Sequence, residues 1–344
     1  MNTFGKIFQV TLYGESHQDA IGVVVDGMKP GTEIDLDRIS EDLSKRRPGA
    51  VGTTARIEKD DYKITSGVFN NKATGSPIHI MIENKDVQSK DYEHLKSHPR
   101  PGHADFVAMK KYFGFHDYRG GGRFSGRLTA ALVAAGALAK MMLPYTFHHE
   151  LISLGTCKDP EAFDTYLEEI GNEGDSVGGM IRLTVNHVDI GLGEPMFYKL
   201  DAVITQLLMS IPAVKLVSFG DTLSLLESKG SEFNDILVNK DGTTKTNHSG
   251  GVTGGISNGN PIVINVFVKP TSSIQKAQET YHFDQQSVDT LQAKGRHDVA
   301  IARRAGIVIE NTVACVLADM YLLRNMYQYS CNQLKVLVQK HLLL

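Results

Sequence analysis

Four segments of the 344-residue chain set glycine beside histidine or arginine. They are Gly14-Glu15-Ser16-His17, Arg100-Pro101-Gly102-His103-Ala104-Asp105, the stretch DYRGGGRFSGR from Asp117 to Arg127, and Gly295-Arg296-His297-Asp298 followed by Arg303-Arg304. Arg46-Arg47-Pro48-Gly49 is a fifth, without histidine. Glycine lets a backbone approach a ligand closely. A guanidinium is a planar fork that matches carboxylate and phosphate. Imidazole changes charge near neutral pH and can carry a proton. Together these residues describe a loop-built site that holds an anionic small molecule and moves protons on it. Singly they say less. A lone histidine beside a turn is more often a surface or capping residue, Arg46-Arg47 alone reads as a solvated helix end, and Asp298 alone reads as the N-cap of the helix that follows it. Three consecutive glycines between Arg119 and Arg123 resist such a reading, because they cost backbone entropy and add nothing to a core. That segment leads into a helix, whose N-terminus favours anions.

The rest of the composition narrows the function. Lys and Arg total 36 against 39 Asp and Glu, a formal net charge of −3. A nucleic-acid or membrane-surface protein would carry a broad basic excess, so any cationic site here is local. The three cysteines, Cys157, Cys315 and Cys331, are far apart and form neither a disulfide framework nor a metal-ligating pair. That usage and the absence of a signal-peptide apolar region lead to the expectation of a cytoplasmic protein. No apolar stretch of about 18 residues runs without a charge or a break. There is no GxxxxGK[ST] phosphate loop and no GxGxxG between a strand and a helix. His148-His149-Glu150 is not an HExxH motif, so no metal site is expected. Gly14-Glu15-Ser16-His17-Gln18 resembles a nucleophile elbow without its second glycine. A serine hydrolase using Ser16 and His17 is a weak reading, since adjacent side chains on one turn do not easily face each other.

The elements that must position these segments follow from periodicity. Residues 6–13, 21–25, 64–69, 78–82, 180–188, 214–219 and 261–268 read as strands. Residues 36–47 read as a helix capped by Asp35 or Asp37 and stopped by Pro48-Gly49. Residues 106–113 and 200–211 read as shorter helices. The Ala-rich run 126–143 and the run 299–323 read as two long helices, the first carrying small residues on several faces and therefore central. Residues 144–175 read as peripheral, and residues 227–260 as a long functional or mobile loop. Hairpin-like strands with two long buried helices favour α+β over a doubly wound sheet. Residues 1–325 are expected to form a single domain, with 326–344 as a tail.

Taken in order, these residues resemble the chorismate synthase family, as a divergent member. The resemblance runs from about Phe4 to about Leu323 and includes GESH at 14–17, RRPG at 46–49, IEN at 82–84, RPGHAD at 100–105, DYRGGGR at 117–123, GDSVG at 174–178, GLGEP at 191–195, KPTSS at 269–273 and GRHD at 295–298. It implies a single-domain β-α-β sandwich, with central long helices between antiparallel sheets, assembled as a homotetramer. It implies a lyase at the last step of the shikimate pathway, converting 5-enolpyruvylshikimate 3-phosphate to chorismate by anti-1,4-elimination of phosphate and a ring proton. The implied cofactor is reduced FMN, supplied by an external flavin reductase, with NADPH at most an indirect reductant. By the same resemblance His17 is the general acid for phosphate, His103 protonates or holds the reduced flavin, and Asp298 acts in removing the ring proton. Arg46, Arg100, Arg127 and Arg304 hold the anionic substrate. FMN contacts fall at Arg123, Phe124, Ser125, Pro212, Ala213, Gly254, Lys269, Pro270, Thr271, Ser272, Ser273 and Arg296, and residues 240–260 would cover the site against water.

The chain departs from the family pattern around the site. Gln18 stands where glycine is usual and Val51 where a second arginine is usual. Phe124, Gly126 and Leu128 break a small-Ser-Ala-Arg-Glu run. Pro212 replaces an asparagine at the flavin, and Val299 replaces a proline. These changes predict weaker cofactor binding with the chemistry retained. They also motivate the alternative of a catalytically weak or inactive paralogue that binds flavin or an anionic ligand.

Overall fold

A computed structural model describes residues 1–341 except 55–58, 86–88, 222–223 and 294–296. Its first sheet is built on two apolar central strands. Ile21, Val23 and Val25 of Ala20–Asp26, and Ile78, Ile80 and Ile82 of Ile78–Glu83, lie on one face at period two and are fully buried. The five strands run in the order Thr3–Phe4, Gln9–Gly14, Ala20–Asp26, Ile78–Glu83, Tyr62–Ser66, and every pairing is antiparallel. The second sheet, Val214–Phe219, Ile262–Val268, Gly179–Asn186, Thr146–Leu154, is also antiparallel. Its register sets Ile262 opposite Val185, Ile264 opposite Leu183 and Val266 opposite Ile181, all buried.

The two sheets bury these faces against helices laid between them. Thr129–Lys140 packs on the first sheet, Ala302–His341 packs on the second, and the two helices pack on each other. Every residue from Ala130 to Lys140 is buried, as a helix apolar on all sides must be. The helices come closest at Gly136, where a Cβ would lie 2.3 Å from both Cβ and O of Asn311. The result is the expected α+β sandwich.

Charges inside this layer are paired. The Lys140 ammonium donates to Asp42 at 2.9 Å and to Glu310, whose second oxygen is 2.6 Å from His149 Nδ1. The Asp319 carboxylate accepts from the backbone N–H groups of Lys6, Ile7 and Phe8 and from the Tyr198 hydroxyl, fastening the N-terminal segment to the central helix. Ala302–Tyr327 is apolar and long enough to cross a membrane, but 83% of its most apolar window is buried inside the protein, so it is core. Cys315 lies within it, its thiol pushed up to about 12 by burial.

Several elements differ from the sequence reading. Asp35, not Asp37, caps Leu36–Arg46 by accepting from the Arg38 N–H. Thr129–Lys140 starts after a 3-10 turn at Gly126–Leu128. The long C-terminal helix begins at Ala302 rather than 299 and continues through the residues read as a tail to His341. Asp298 is therefore not its N-cap. The strand expected over 64–69 breaks at Gly67, whose φ of +84° ends Tyr62–Ser66 and opens a short hairpin of Val68–Phe69 with Lys72–Ala73. Residues 144–175 are not merely peripheral: they supply the edge strand Thr146–Leu154, whose polar outer residues hid it, and the helix Phe163–Asn172. Residues 278–291 add a two-stranded ribbon that the sequence reading did not anticipate.

Replacing Gly136 by alanine forces a methyl group into the backbone of Asn311. Overpacking of this kind costs about 1–3 kcal/mol. Gly136→Ala should melt several degrees below wild type by circular dichroism. An unchanged midpoint would mean that the helix crossing yields more than its packing suggests.

Candidate active site

Near the C-terminal end of the helix Leu36–Arg46, a cavity of about 540 Å³ gathers side chains from distant parts of the chain. That volume lies in the range of small-molecule sites, about 300–1,000 Å³. Arg46, Arg100, Arg123, Arg127, Lys215, Lys269 and Arg304 line it, together with His103 and the carboxylate of Asp298. Phe124, Ser125, Pro212, Ala213 and the whole of Lys269–Ser273 line it as well. Among the described residues seven cations face one lining carboxylate, in a chain of net charge −3, so the site is a local anion trap.

Three carboxylates hold this wall in place. Asp60, fully buried, accepts from Arg46 at 2.8 Å through one oxygen and from Arg127 through the other. Burial alone would raise its pKa, but the two guanidiniums hold it below the usual carboxylate value. Arg127 also donates from Nε to Asn84 at 2.9 Å and to the Glu83 carbonyl at 3.2 Å. Asp105 takes the Arg100 guanidinium side-on, at 2.8 and 2.9 Å, and lies 2.6 Å from His103 Nδ1. Burial again opposes ionisation, and the bonds from Arg100 and then His103 overcome it, leaving Asp105 far below the usual range. Asp298, instead of capping a helix, accepts from the Thr54 N–H at 3.0 Å and from Arg304 at 3.1 Å.

The glycine run packs tightly against its neighbours, and only Gly120 of the three lines the cavity. Gly120, Gly121 and Gly122 have φ of +57°, +79° and +51°, three left-handed residues in succession that side chains rarely tolerate. A Cβ on Gly120 would lie 2.1 Å from the His17 ring, and one on Gly122 would lie 2.0 Å from the Asp117 carbonyl oxygen. His17 is consequently one layer behind the cavity wall, under Gly120 and edge-on to Tyr92 at 5.1 Å. Tyr92 itself lines the cavity. The Cε1–Nε2 edge of His103 faces Gly121. Ser16 is fully buried beneath the same glycines, which removes it as an accessible nucleophile.

The opposite wall is tied to the RPGH segment. Lys269 Nζ donates to Ser272 Oγ at 2.6 Å, and Ser272 Oγ donates to the Gly102 carbonyl at 2.8 Å. Burial, aided by the charge of Lys215, holds the Lys269 ammonium below its usual pKa. Arg100 Nη1 donates to Ser273 Oγ at 2.8 Å. Arg123 donates to the carbonyls of Leu12 and Gly14 at 2.8 and 3.2 Å, anchoring the glycine loop to the first sheet.

Not every expected residue reaches the cavity. Gly254 sits at the turn of the hairpin Val252–Ser257, outside it. No described residue from 240 to 260 lines the cavity, so this segment does not cover the site as expected; it folds around Asp235, which accepts from Thr246, His248 and Ser249. Arg296 lies outside the described residues. The departures at 51, 128 and 299 are apolar packing positions against the core. Gln18 donates to Asp117 at 3.0 Å, which in turn receives Arg119. Asp60, Tyr92 and Lys215 were missed in sequence because none sits in a glycine-rich segment. Asp105 and Asn84 were within quoted motifs, but nothing in their spacing disclosed which side chains they hold.

Comparison with known proteins gives a consistent result. The family described as chorismate synthase matches residues 8–322. A chorismate synthase of Chitinophaga pinensis is 47% identical over 323 residues, covering 94% of this chain and 97% of that relative. Those of Sulfurimonas denitrificans and Archaeoglobus fulgidus are 45% and 42% identical, covering 94% and 95% of this chain and 96% and 98% of their own lengths. A crystal structure of a chorismate synthase superposes with a TM-score of 0.73 at 26% identity, covering 93% of each chain.

Asp105→Asn leaves a buried guanidinium without its counter-charge, a loss of about 3–5 kcal/mol at neutral pH. Because the folded carboxyl lies below its unfolded value, its stabilisation is complete above about pH 4–5 and fades as the pH falls further. The difference in unfolding free energy between wild type and Asp105→Asn should therefore be flat from pH 8 to 5 and shrink below 4. A difference that persists undiminished at pH 3 would contradict this pairing.

Proposed function

The chain belongs to the chorismate synthase family, and from that membership and the cavity's chemistry we infer a lyase that converts 5-enolpyruvylshikimate 3-phosphate to chorismate and phosphate by anti-1,4-elimination. The observation that carries this reading is the convergence of seven cations from six stretches of chain on one cavity that also holds His103 and Asp298. The substrate has two carboxylates and a phosphate. A hydrogen bond to a charged group contributes about 1.5–3 kcal/mol net, so several guanidiniums are needed to offset the desolvation of such an anion.

The residues fit a reduced flavin mononucleotide. Phe124, Ile211, Pro212 and Ala213 offer apolar surface, Lys269 and Arg123 offer cations, and the buried Thr271 hydroxyl has no hydrogen-bond partner among the described residues. When bound, reduced FMN supplies an electron-rich ring beside the substrate, in a reaction with no net redox change. Arg46, Arg100, Arg127 and Arg304 bind and orient the anionic groups. His17, behind Gly120 and Tyr92, gives the departing phosphate its proton. His103, oriented through Nδ1 by Asp105, holds a proton on the flavin side of the cavity. Asp298, fixed by Thr54 and Arg304, stands as the carboxylate that receives the ring proton. General acid and base groups of this kind contribute about 10²–10⁴-fold each.

The enzyme in this reading is a cytoplasmic homotetramer of single-domain subunits, with residues 1–325 as the catalytic unit. An external reductase supplies the flavin, and NADPH acts only indirectly. The reading as a non-catalytic paralogue is not favoured, because the proposed proton-handling residues and all four substrate arginines are retained, with His103, Asp298 and the arginines lining the cavity and His17 directly behind Gly120.

Anaerobic turnover with chemically reduced FMN tests the reading. Phosphate and chorismate should appear in equal amounts, and oxidised FMN should give neither. His17→Ala should lower kcat by about 10²–10⁴-fold with the fold intact. A folded wild-type protein that releases no phosphate at saturating reduced FMN would sink the reading and restore the paralogue.

A further inference from the structure

Asp60 lies outside every glycine-rich segment, yet it joins two walls of the cavity. It sits just ahead of the strand Tyr62–Ser66, while Arg46 ends the helix Leu36–Arg46 and Arg127 belongs to the turn Gly126–Leu128. Its oxygens are divided, Oδ2 to Arg46 and Oδ1 to Arg127. Its side chain is fully buried, and its φ is +51°, a left-handed conformation uncommon outside glycine, asparagine and aspartate. The two guanidiniums differ in their other contacts. Arg127 is also held by Asn84 and Glu83, whereas Arg46 Nε is buried without a hydrogen-bond partner among the described residues. Asp60 is the carboxylate that orients Arg46, and both arginines line the cavity.

Two cations side by side repel, and without a counter-charge they would splay before any ligand arrived. We propose that Asp60 is a positioning residue for substrate: one carboxylate oxygen on each guanidinium sets the separation of Arg46 and Arg127 and presents their remaining N–H groups to an anionic group of the substrate. The proposal rests on the reading of this cavity as the substrate site. It makes Asp60 act through the arginines, on binding, and not on the bonds that break.

The test is calorimetric binding of 5-enolpyruvylshikimate 3-phosphate in the presence of oxidised FMN, alongside steady-state turnover with reduced FMN. Asp60→Asn should weaken binding and raise KM by about 10- to 100-fold, the loss expected for a charge-assisted contact, while kcat at saturation stays within about threefold. In an Arg46→Ala background the same substitution should have a clearly smaller effect. Equal factors in both backgrounds, within about twofold, or an unchanged KM, would overturn the proposal. If Asp60→Asn does not fold, Asp60→Glu decides: it keeps the charge but moves it by one methylene, so a raised KM in a folded protein supports the proposal and a wild-type KM overturns it. Wild-type binding without turnover would remove the catalytic reading and leave the Kd comparison to judge Asp60. No wild-type binding would remove both.

Discussion

Repulsion among like charges is the constraint under which this site is built. Seven cationic side chains cannot share a cavity in a folded protein unless something behind them balances part of the charge and fixes their directions. Asp60, Asp105 and Asp298 do this from the second layer or the wall, each taking one or two guanidiniums. The balance is partial. Lys215, Lys269 and Arg123 also line the cavity, and among the described residues none of them is ion-paired with a carboxylate, so the cavity remains strongly cationic. Seven cations less these three carboxylates leave about four positive charges, which a ligand with two carboxylates and a phosphate largely offsets, so its binding is selective for anions without relying on the charge of the whole chain.

That arrangement depends on a scaffold that does not yield. The arginines come from a helix end, a 3-10 turn, loops and the start of the central helix, so their spacing is inherited from how the helices pack. The close crossing at Gly136, the buried Lys140 cluster and the clamp of Asp319 on the N-terminal segment fix the central layer. The glycine cradle 120–122 then lets the loop pass directly over His17, which puts a histidine within one layer of the cavity while shielding it from bulk water.

Much of this was legible in the sequence. Short apolar runs in AIGVVVD, IHIMIE and IVINVFV gave central strands, and the all-round small residues of 129–140 gave a central helix, because both patterns report burial directly. The Gly-Arg-His segments marked the cavity wall, since glycine and arginine in loops have few other uses together. What stayed hidden were contacts between distant residues. Asp60 carries no local signal, Asp298 looked like a cap because a helix follows it, and Thr146–Leu154 looked peripheral because an edge strand shows a polar face. Residues 227–260 looked functional or mobile because they are polar and long, and the resemblance made 240–260 a cover, whereas polar groups there are satisfied locally around Asp235.

The most direct test of the account is a crystal structure of the protein with 5-enolpyruvylshikimate 3-phosphate and oxidised FMN bound together. The account predicts the substrate's phosphate and carboxylates within about 3 Å of Arg46, Arg100, Arg127 and Arg304, with the flavin against Phe124, Pro212 and Ala213. Substrate bound elsewhere, or lying in this cavity with its anionic groups turned away from those arginines, would contradict it.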